Sequence, residues 1–357
     1  MSPHRAENDV RLDSAEGAYG EGRESRALCV YAALIALLVS ALAANLCVGT
    51  VGVPLDRIVP ILTGRFQDEV AYQVIWNIRL PRLCAAALLG GALGLAGLLL
   101  QTLFANPIAG PYILGISNGA KLAVAVVMIL VLGEERAMSS WMSLFAAFCG
   151  SLLTMMAVLA VSGRVRSAST LVIVGVMIGY VCSAATDILI TFASDANIVN
   201  LHNWSLGSFS GINGGQVMLI AVVVGVGAVV TFLLSKPLGA YQLGEAYAES
   251  MGVNVRSFRI SVIVISSVLA SCVTAFAGPI SFVGVAVPHV ARRLLKTSRP
   301  HVVIPAAFLT GSVACLVCDL LARTLFAPVE LTVSTVTAVF GAPVVIWVLL
   351  RRRRQVG

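Results

Sequence analysis

The chain has 357 residues, 58% hydrophobic and 11% charged, and its mean hydropathy is +0.94. A soluble domain carries about 25% charged residues, so the composition speaks for a membrane protein built as one integrated domain of apolar spans. The net charge of +7 is read by its location between spans and not as a nucleic-acid footprint, because no basic patch alternates with aromatics.

Residues 1–26 are polar, mixed in charge and poor in large apolar side chains, which predicts a disordered cytoplasmic tail. Ala27–Val48 is the first apolar run. Arg23 and Arg26 ahead of it and Ala41-Leu42-Ala43 near its end give it the outline of a cleaved signal peptide. Its apolar core is longer than a usual signal core, which favours a retained span. A crossing needs about 20 apolar residues at about 1.5 Å each. Ten stretches qualify: 27–48, 83–104, 112–132, 141–162, 169–193, 216–235, 258–276, 280–295, 302–322 and 333–350. The third and eighth are short and contain glycines. The basic run 351–357 is a second cytoplasmic tail.

Ten spans put both termini on one side, and Lys and Arg choose which. With both termini cytoplasmic, the inner segments carry Arg5, Arg11, Arg23, Arg26, Arg164, Arg166, Lys236, Arg256, Arg259, Arg292, Arg293, Lys296, Arg299 and Arg351–Arg354, 17 in all. The outer segments carry 6: Arg57, Arg65, Arg79, Arg82, Arg136 and Arg323. Lys121 falls within a span.

Between the second and third spans stands NPIAGPYILGISNGA, Asn106–Ala120. Proline removes a donor and fixes φ, and it pushes the preceding residue out of the helical region. Asn106, Pro107 and Pro111 therefore predict a tight hinge between two returning helices, on the cytoplasmic side. A second hinge, Ala277-Gly278-Pro279, falls between spans seven and eight on the outer side. AGPYILG echoes AGPISFVG five spans later, which is the trace an inverted five-helix repeat leaves.

Enzyme signatures are mostly absent: there is no GxxxxGK[ST] and no HExxH, so no catalytic residues are assigned and ATP is not bound by a P-loop on this chain. The four histidines give no metal-ligand spacing. Cys315 and Cys318 form a CxxC, but in the apolar run AAFLTGSVACLVCDLLA they read as small packing residues before they read as a thiolate or metal site.

Lys121, Asp187 and Asp319 are the ionisable residues inside spans, where such groups face the interior, pair, or mark a pathway. Asp319 and Arg323 are four apart and share a helix face. Lys121 has the alternative of snorkelling outward, and Asp187 is a candidate proton relay. The outer loop NIVNLHNWSLGSFSGING, with His202 and Trp204, is either a short re-entrant or interfacial helix or an interfacial aromatic belt. The inner segment KPLGAYQLGEAYAESMGVNVRSFR, Lys236–Arg259, contains helix formers stopped by Gly252. It is either a partner-docking helix or a surface linker.

RLPRLCAAALLGGALGLAGLLLQTLFANPIAGPYILGISNGA, WSLGSFSG, LGEAYAESMGVNVRSFR, AGPISFVGVAVPHVARRL and DLLARTLFAPVELTVSTVTAVFGAPVVIWVLLRRR stand in that order along the chain. Together they resemble the permeases of iron–siderophore, haem and cobalamin ABC importers, from about Val51 to Arg353. The resemblance implies an all-α type II importer permease of ten spans with an inverted five-helix repeat, a single domain over 27–350 in the bacterial cytoplasmic membrane. A second permease subunit, two separate ATPase subunits and an extracytoplasmic binding protein (periplasmic or a lipoprotein) are the implied partners, with membrane lipid, no nucleic acid and no cofactor on this chain.

By position, the resemblance makes Arg79, Arg82 and Arg323 outer-surface groups that receive acidic residues of the binding protein. Coupling helices at about 240–255 make Gly244, Glu245, Ala248 and Gly252 contacts for the ATPases. The fifth span with the short helix after it, and the tenth span, are expected to line the pathway, near Lys121, Asp187, His202 and Trp204. His289 belongs to the family's VPH motif and is not read as a haem ligand. The resulting expectation is a ferric siderophore moved by alternating access, with haem or cobalamin as alternatives. A proton-coupled secondary transporter using Asp187 and Lys121 is the rival class.

Overall fold

A computed structural model describes residues 3–49, 55–63, 69–132, 138–162 and 168–353. Arg65, Arg136, Arg164, Arg166 and Arg354 lie outside these residues, as do the side chains of Arg5, Arg11, Arg23, Arg57 and Arg351–Arg353.

The described secondary structure is helical throughout. It runs α1 (Pro3–Cys47), α2 (Leu55–Leu62), α3 (Glu69–Gln73), a π-turn segment (Val74–Arg79) and α4 (Leu80–Leu103). A 3₁₀ turn (Pro111–Leu114), α5 (Ile116–Ala125) and a second π segment (Val126–Val131) follow, then α6 (Ser140–Ser162), α7 (Ala168–Thr191), α8 (Asp195–Ser205) and α9 (Gly214–Leu233). The chain ends with α10 (Ser235–Gln242), α11 (Glu245–Ser250), α12 (Val255–Ala277), α13 (Val283–Leu295), α14 (Pro300–Thr324) and α15 (Val333–Arg353).

Among the described residues, seven helices are long and apolar enough to cross a membrane, with Ile116–Val131 and Val333–Ile346 as shorter apolar helices. With α13, every one of the ten expected spans has a counterpart. The first helix runs from Pro3 to Cys47, through the stretch that the sequence reading set apart as a tail. Ala, Glu, Arg and Leu in that stretch are good helix formers, and extending a helix the membrane span has already nucleated avoids the costly first turn. The second crossing also begins earlier, at Val70, because the π segment joins α3 to α4 without a break.

The centre of the fold is α4. From Leu89 to Leu103 every residue is buried, as expected of a helix that is apolar all round. It packs on α14, α12, α13 and α9. Small residues let the backbones close, as is common between helices in lipid. A Cβ on Gly97 would lie 1.7 Å from the Gly284 carbonyl oxygen, and one on Gly90 2.4 Å from that of Gly311.

The inverted repeat is visible as paired contacts. α4 on α14 is mirrored by α12 on α6, and α5 on α6 by α13 on α14. Likewise α5 on α7 is mirrored by α13 on α15, and α4 on α13 by α12 on α5. The two hinges meet on the local axis. Tyr112 and Ile280 each follow an Ala-Gly-Pro, and the Ile280 N–H donates to the Tyr112 hydroxyl at 3.3 Å.

The hinge after α4 is longer than a tight break. The chain leaves α4 at Leu103 and does not resume an α-helix until Ile116. Between them it runs along α13, so that the Pro107 carbonyl meets His289 and Pro111 meets Gly284. Non-helical backbone at membrane depth is tolerated where protein covers it and bonds its polar groups.

Candidate functional site

Three places carry the polar chemistry: a buried ion network at one end of the bundle, the two hinges, and a pair of short helices at the opposite end. The network begins at the C-terminus of α1, whose last carbonyls have no partner within the helix. Arg79 Nη1 donates to the carbonyls of Leu46 at 2.5 Å and Cys47 at 3.3 Å. Arg323 Nη1 donates to that of Val48 at 3.4 Å, and its Nη2 to Asn45 Oδ1 at 2.5 Å. Asn45 in turn donates to the carbonyls of Ala41 and Leu316, tying α1 to α14. Two guanidinium groups thus sit where the helix dipole is negative.

Asp319, 0% exposed, lies between the arginines. Arg82 grips it with Nε at 3.0 and 3.2 Å from the two carboxylate oxygens and Nη2 at 3.0 Å. Arg323 Nε is 3.2 Å from Oδ2, an ion contact without hydrogen-bond alignment. Arg82 Nη1 points the other way, to Glu330 Oε2 at 3.2 Å, and the Glu330 side chain is 38% exposed.

The expected outer-surface docking arginines are therefore corrected in their setting. Arg79, Arg82 and Arg323 are only 4–7% exposed and bonded within the chain. A buried charge is kept only with partners, and Asp319, Asn45 and the open end of α1 supply them. Glu330 is the acidic member of the network that reaches solvent. The i,i+4 spacing made the Asp319–Arg323 contact legible. Nothing in the sequence pointed to Asn45 or Glu330.

At the first hinge, Asn106 Oδ1 accepts from the Ile108 N–H at 3.0 Å, closing an Asx turn. His289 Nε2 lies 2.6 Å from the Pro107 carbonyl, and Gln101 bridges the Val285 carbonyl and Arg292. His289 thus braces the hinge. At the second hinge the Ala277 carbonyl accepts from Ser208 N–H at 2.7 Å, and that of Pro279 from Ser334 Oγ at 2.6 Å. Gly278 has φ +73° and lies against the Trp204 carbonyl, where a Cβ would come within 2.7 Å.

At the opposite end, the segment read as coupling helices forms two short helices, α10 and α11. Gly244, at φ +118°, starts α11. Gly252, at φ +81°, ends it in a Schellman motif: Val253 N–H bonds the Ala248 carbonyl and Gly252 N–H that of Glu249. Ala248 is buried, while Leu243, Tyr247 and Met251 are exposed. Glu245 pairs with Arg259 of α12 at 2.6 Å. The Tyr241 hydroxyl donates to the carbonyl of Leu103, the last residue of α4, at 3.4 Å, and its ring lies 5.0 Å from that of Phe258.

The pathway candidates are not gathered into one cluster. Lys121 is half-buried on α5, Asp187 is exposed on α7, and His202 is exposed on α8. Among the described residues no ion pair joins Lys121 to Asp187. The loop after α7 does form a helix, α8, whose Leu201 and Trp204 pack with Ala120, Val124 and Ala275. Cys315 and Cys318 are buried on α14, with Cys315 against Gly90, as their packing reading expected.

An all-helical bundle of inverted five-helix halves, closed around two hinges, defines the membrane subunit of a type II importer. The chain belongs to the FecCD transport family, matching it over residues 35–351. It is 35% identical over 320 residues to the vitamin B12 import system permease protein BtuC of Klebsiella pneumoniae, covering 90% of this chain and 93% of that protein. It is also 35% identical over 280 residues to the protein of that name from Citrobacter koseri, 78% of this chain and 84% of that one. Among solved structures it resembles an inward-facing putative metal-chelate type ABC transporter, with TM-score 0.79, 26% identity, and 90% and 99% coverage. PsaBC from Streptococcus pneumoniae, at TM-score 0.52 and 15% identity, shares the fold.

Proposed function

We propose that this permease moves a metal chelate inward across the bacterial cytoplasmic membrane by alternating access, powered by two separate ATPase subunits and supplied by an extracytoplasmic binding protein. A second permease subunit, the same chain or a paralogue, completes the pathway. Both termini are cytoplasmic on this reading, supported by the excess of Lys and Arg at that end. α10 and α11 then face the ATPases, with Gly244, Glu245, Ala248 and Gly252 setting their shape and Leu243, Tyr247 and Met251 offering apolar contact. Tyr241 would carry their motion to the end of α4, beside the first hinge. This contact is the observation that best supports the mechanism, since it joins a partner-facing helix to a pivot.

Arg79, Arg82 and Arg323 are proposed to act in docking through the network they form and not as free surface charges. The names of the B12 permeases favour a corrinoid as cargo over the ferric siderophore that the resemblance alone suggested. The test is uptake by ATP-loaded right-side-out vesicles containing this chain, its ATPase and its binding protein. Radiolabelled cobalamin should be accumulated and a radio-iron hydroxamate siderophore should not. The reverse result would overturn the corrinoid assignment and leave the importer class standing.

A further inference from the structure

The three arginines and two carboxylates of the network are not equivalent. Asp319 is sealed inside and held by Nε and Nη2 of Arg82. Glu330 holds only Nη1, and it does so from an exposed connection, since Leu325–Glu330 is exposed throughout. That connection joins α14 to α15. Its described ties to other elements include the Arg82–Glu330 pair, Leu331 packed on Cys318, Ala322 and Val336, and backbone bonds from Leu325 N–H to the Leu321 carbonyl at 3.0 Å and from Leu331 N–H to the Ala322 carbonyl at 2.9 Å, with Val333 N–H bonded to that of Gly207 at 3.3 Å.

We propose that Glu330 is a displaceable latch. Its carboxylate occupies on Arg82 the place that a carboxylate of a docking protein takes, and on leaving it frees the Leu325–Thr332 connection at the head of α15. The proposal rests on the docking reading of these arginines.

Three physical points carry it. A rim ion pair contributes little net stability, because water offers both partners nearly as much. Exchanging one carboxylate for another at Nη1 conserves the charge and the hydrogen bonds, so the exchange has a small net cost. The inner pair does not have to break, because Nε and Nη2 stay on Asp319. Giving up Glu330 also leaves the guanidinium groups of Arg82 and Arg323 sharing the one carboxylate of Asp319, a surplus of one positive charge between them. An acidic partner is attracted to such a charge. The consequence is mechanical as well. α15 packs through Val336 on Cys318 and Ala322 of α14, directly below the latched connection, so docking would loosen the upper end of a helix expected to line the pathway.

The test uses the full chain in lipid nanodiscs, with fluorescent hexaglutamate as an acidic probe and hydrogen exchange of residues 325–332 as the second readout. In Glu330→Gln, exchange in that segment should rise about two- to fivefold without peptide, while the cores of α4 and α14 keep their protection. The same variant should bind hexaglutamate about two- to fivefold more tightly than wild type, since the competitor is gone. Adding peptide to wild type should raise its exchange towards that of the variant.

Unchanged exchange in Glu330→Gln would overturn the latch. Equal peptide affinity in both proteins would overturn displacement while leaving docking intact. No binding to either protein would overturn docking itself and displacement with it, whatever the exchange shows.

Discussion

Replacing Asp319 by Asn keeps the shape of the side chain and removes the one negative charge sealed between Arg82 and Arg323. Both guanidinium groups remain buried, and their other bonds, to Glu330, Asn45 and Val48, do not neutralise them both. Removing one partner of a buried pair costs about 3–5 kcal/mol, because the remaining charge is left without compensation. Glu330→Gln removes a rim contact and should cost about 0–1 kcal/mol. The comparison is made by steric-trap unfolding of the chain in bicelles, which reads each variant against wild type in one medium. A triple replacement, Arg82→Met with Asp319→Leu and Arg323→Met, should recover much of the loss, since apolar side chains of similar volume replace all three desolvated charges. If Asp319→Asn falls within about 0.5 kcal/mol of Glu330→Gln, the reasoning fails, because the sealed carboxylate then matters no more than the one at the rim.

Further consequences follow from the close contacts. Gly97→Ala would put a methyl within 1.7 Å of the Gly284 carbonyl. It should destabilise by about 1–3 kcal/mol or more in the same unfolding assay, whereas Gly225→Ala, with open space around it, should be nearly neutral. Gly244→Val forces a branched residue to φ +118° and should cost about 1–3 kcal/mol locally. Its signature should be ATPase activity that no longer responds to the binding protein, in a complex that still assembles. Tyr241→Phe removes the hydroxyl bond to Leu103 and keeps the ring on Phe258. Transport per ATP should fall while thermal stability changes by less than about 1.5 kcal/mol.

The spans were legible because apolar length alone selects them, and the first hinge because proline and glycine interrupt an apolar run. What followed the hinge was hidden. Residues 112–114 are apolar and read as the start of a span, yet they sit in a 3₁₀ turn closed by local bonds, Ile113 N–H to the Gly110 carbonyl and Gly115 N–H to that of Tyr112, which hydropathy does not distinguish from an α-helix. Arginines at the edge of a span look the same in sequence whether they face water or a neighbour's carboxylate. Arg82 and Asp319 are 237 residues apart, so no local spacing could join them. Asp319 and Arg323, one turn apart, were legible for the opposite reason. The glycine pairs that let α4 close on α13 and α14 also depend on partners far along the chain, and within α4 its glycines read only as weak helix formers.

The central claim is that this chain moves cargo only when a separate ATPase drives it. It is tested most directly by radiolabelled cobalamin uptake into proteoliposomes holding the permease, its ATPase and trapped ATP, with the binding protein outside. The account predicts uptake that stops with a hydrolysis-deficient ATPase and is indifferent to a protonophore. Uptake that persists without the ATPase and collapses with the proton gradient would contradict it.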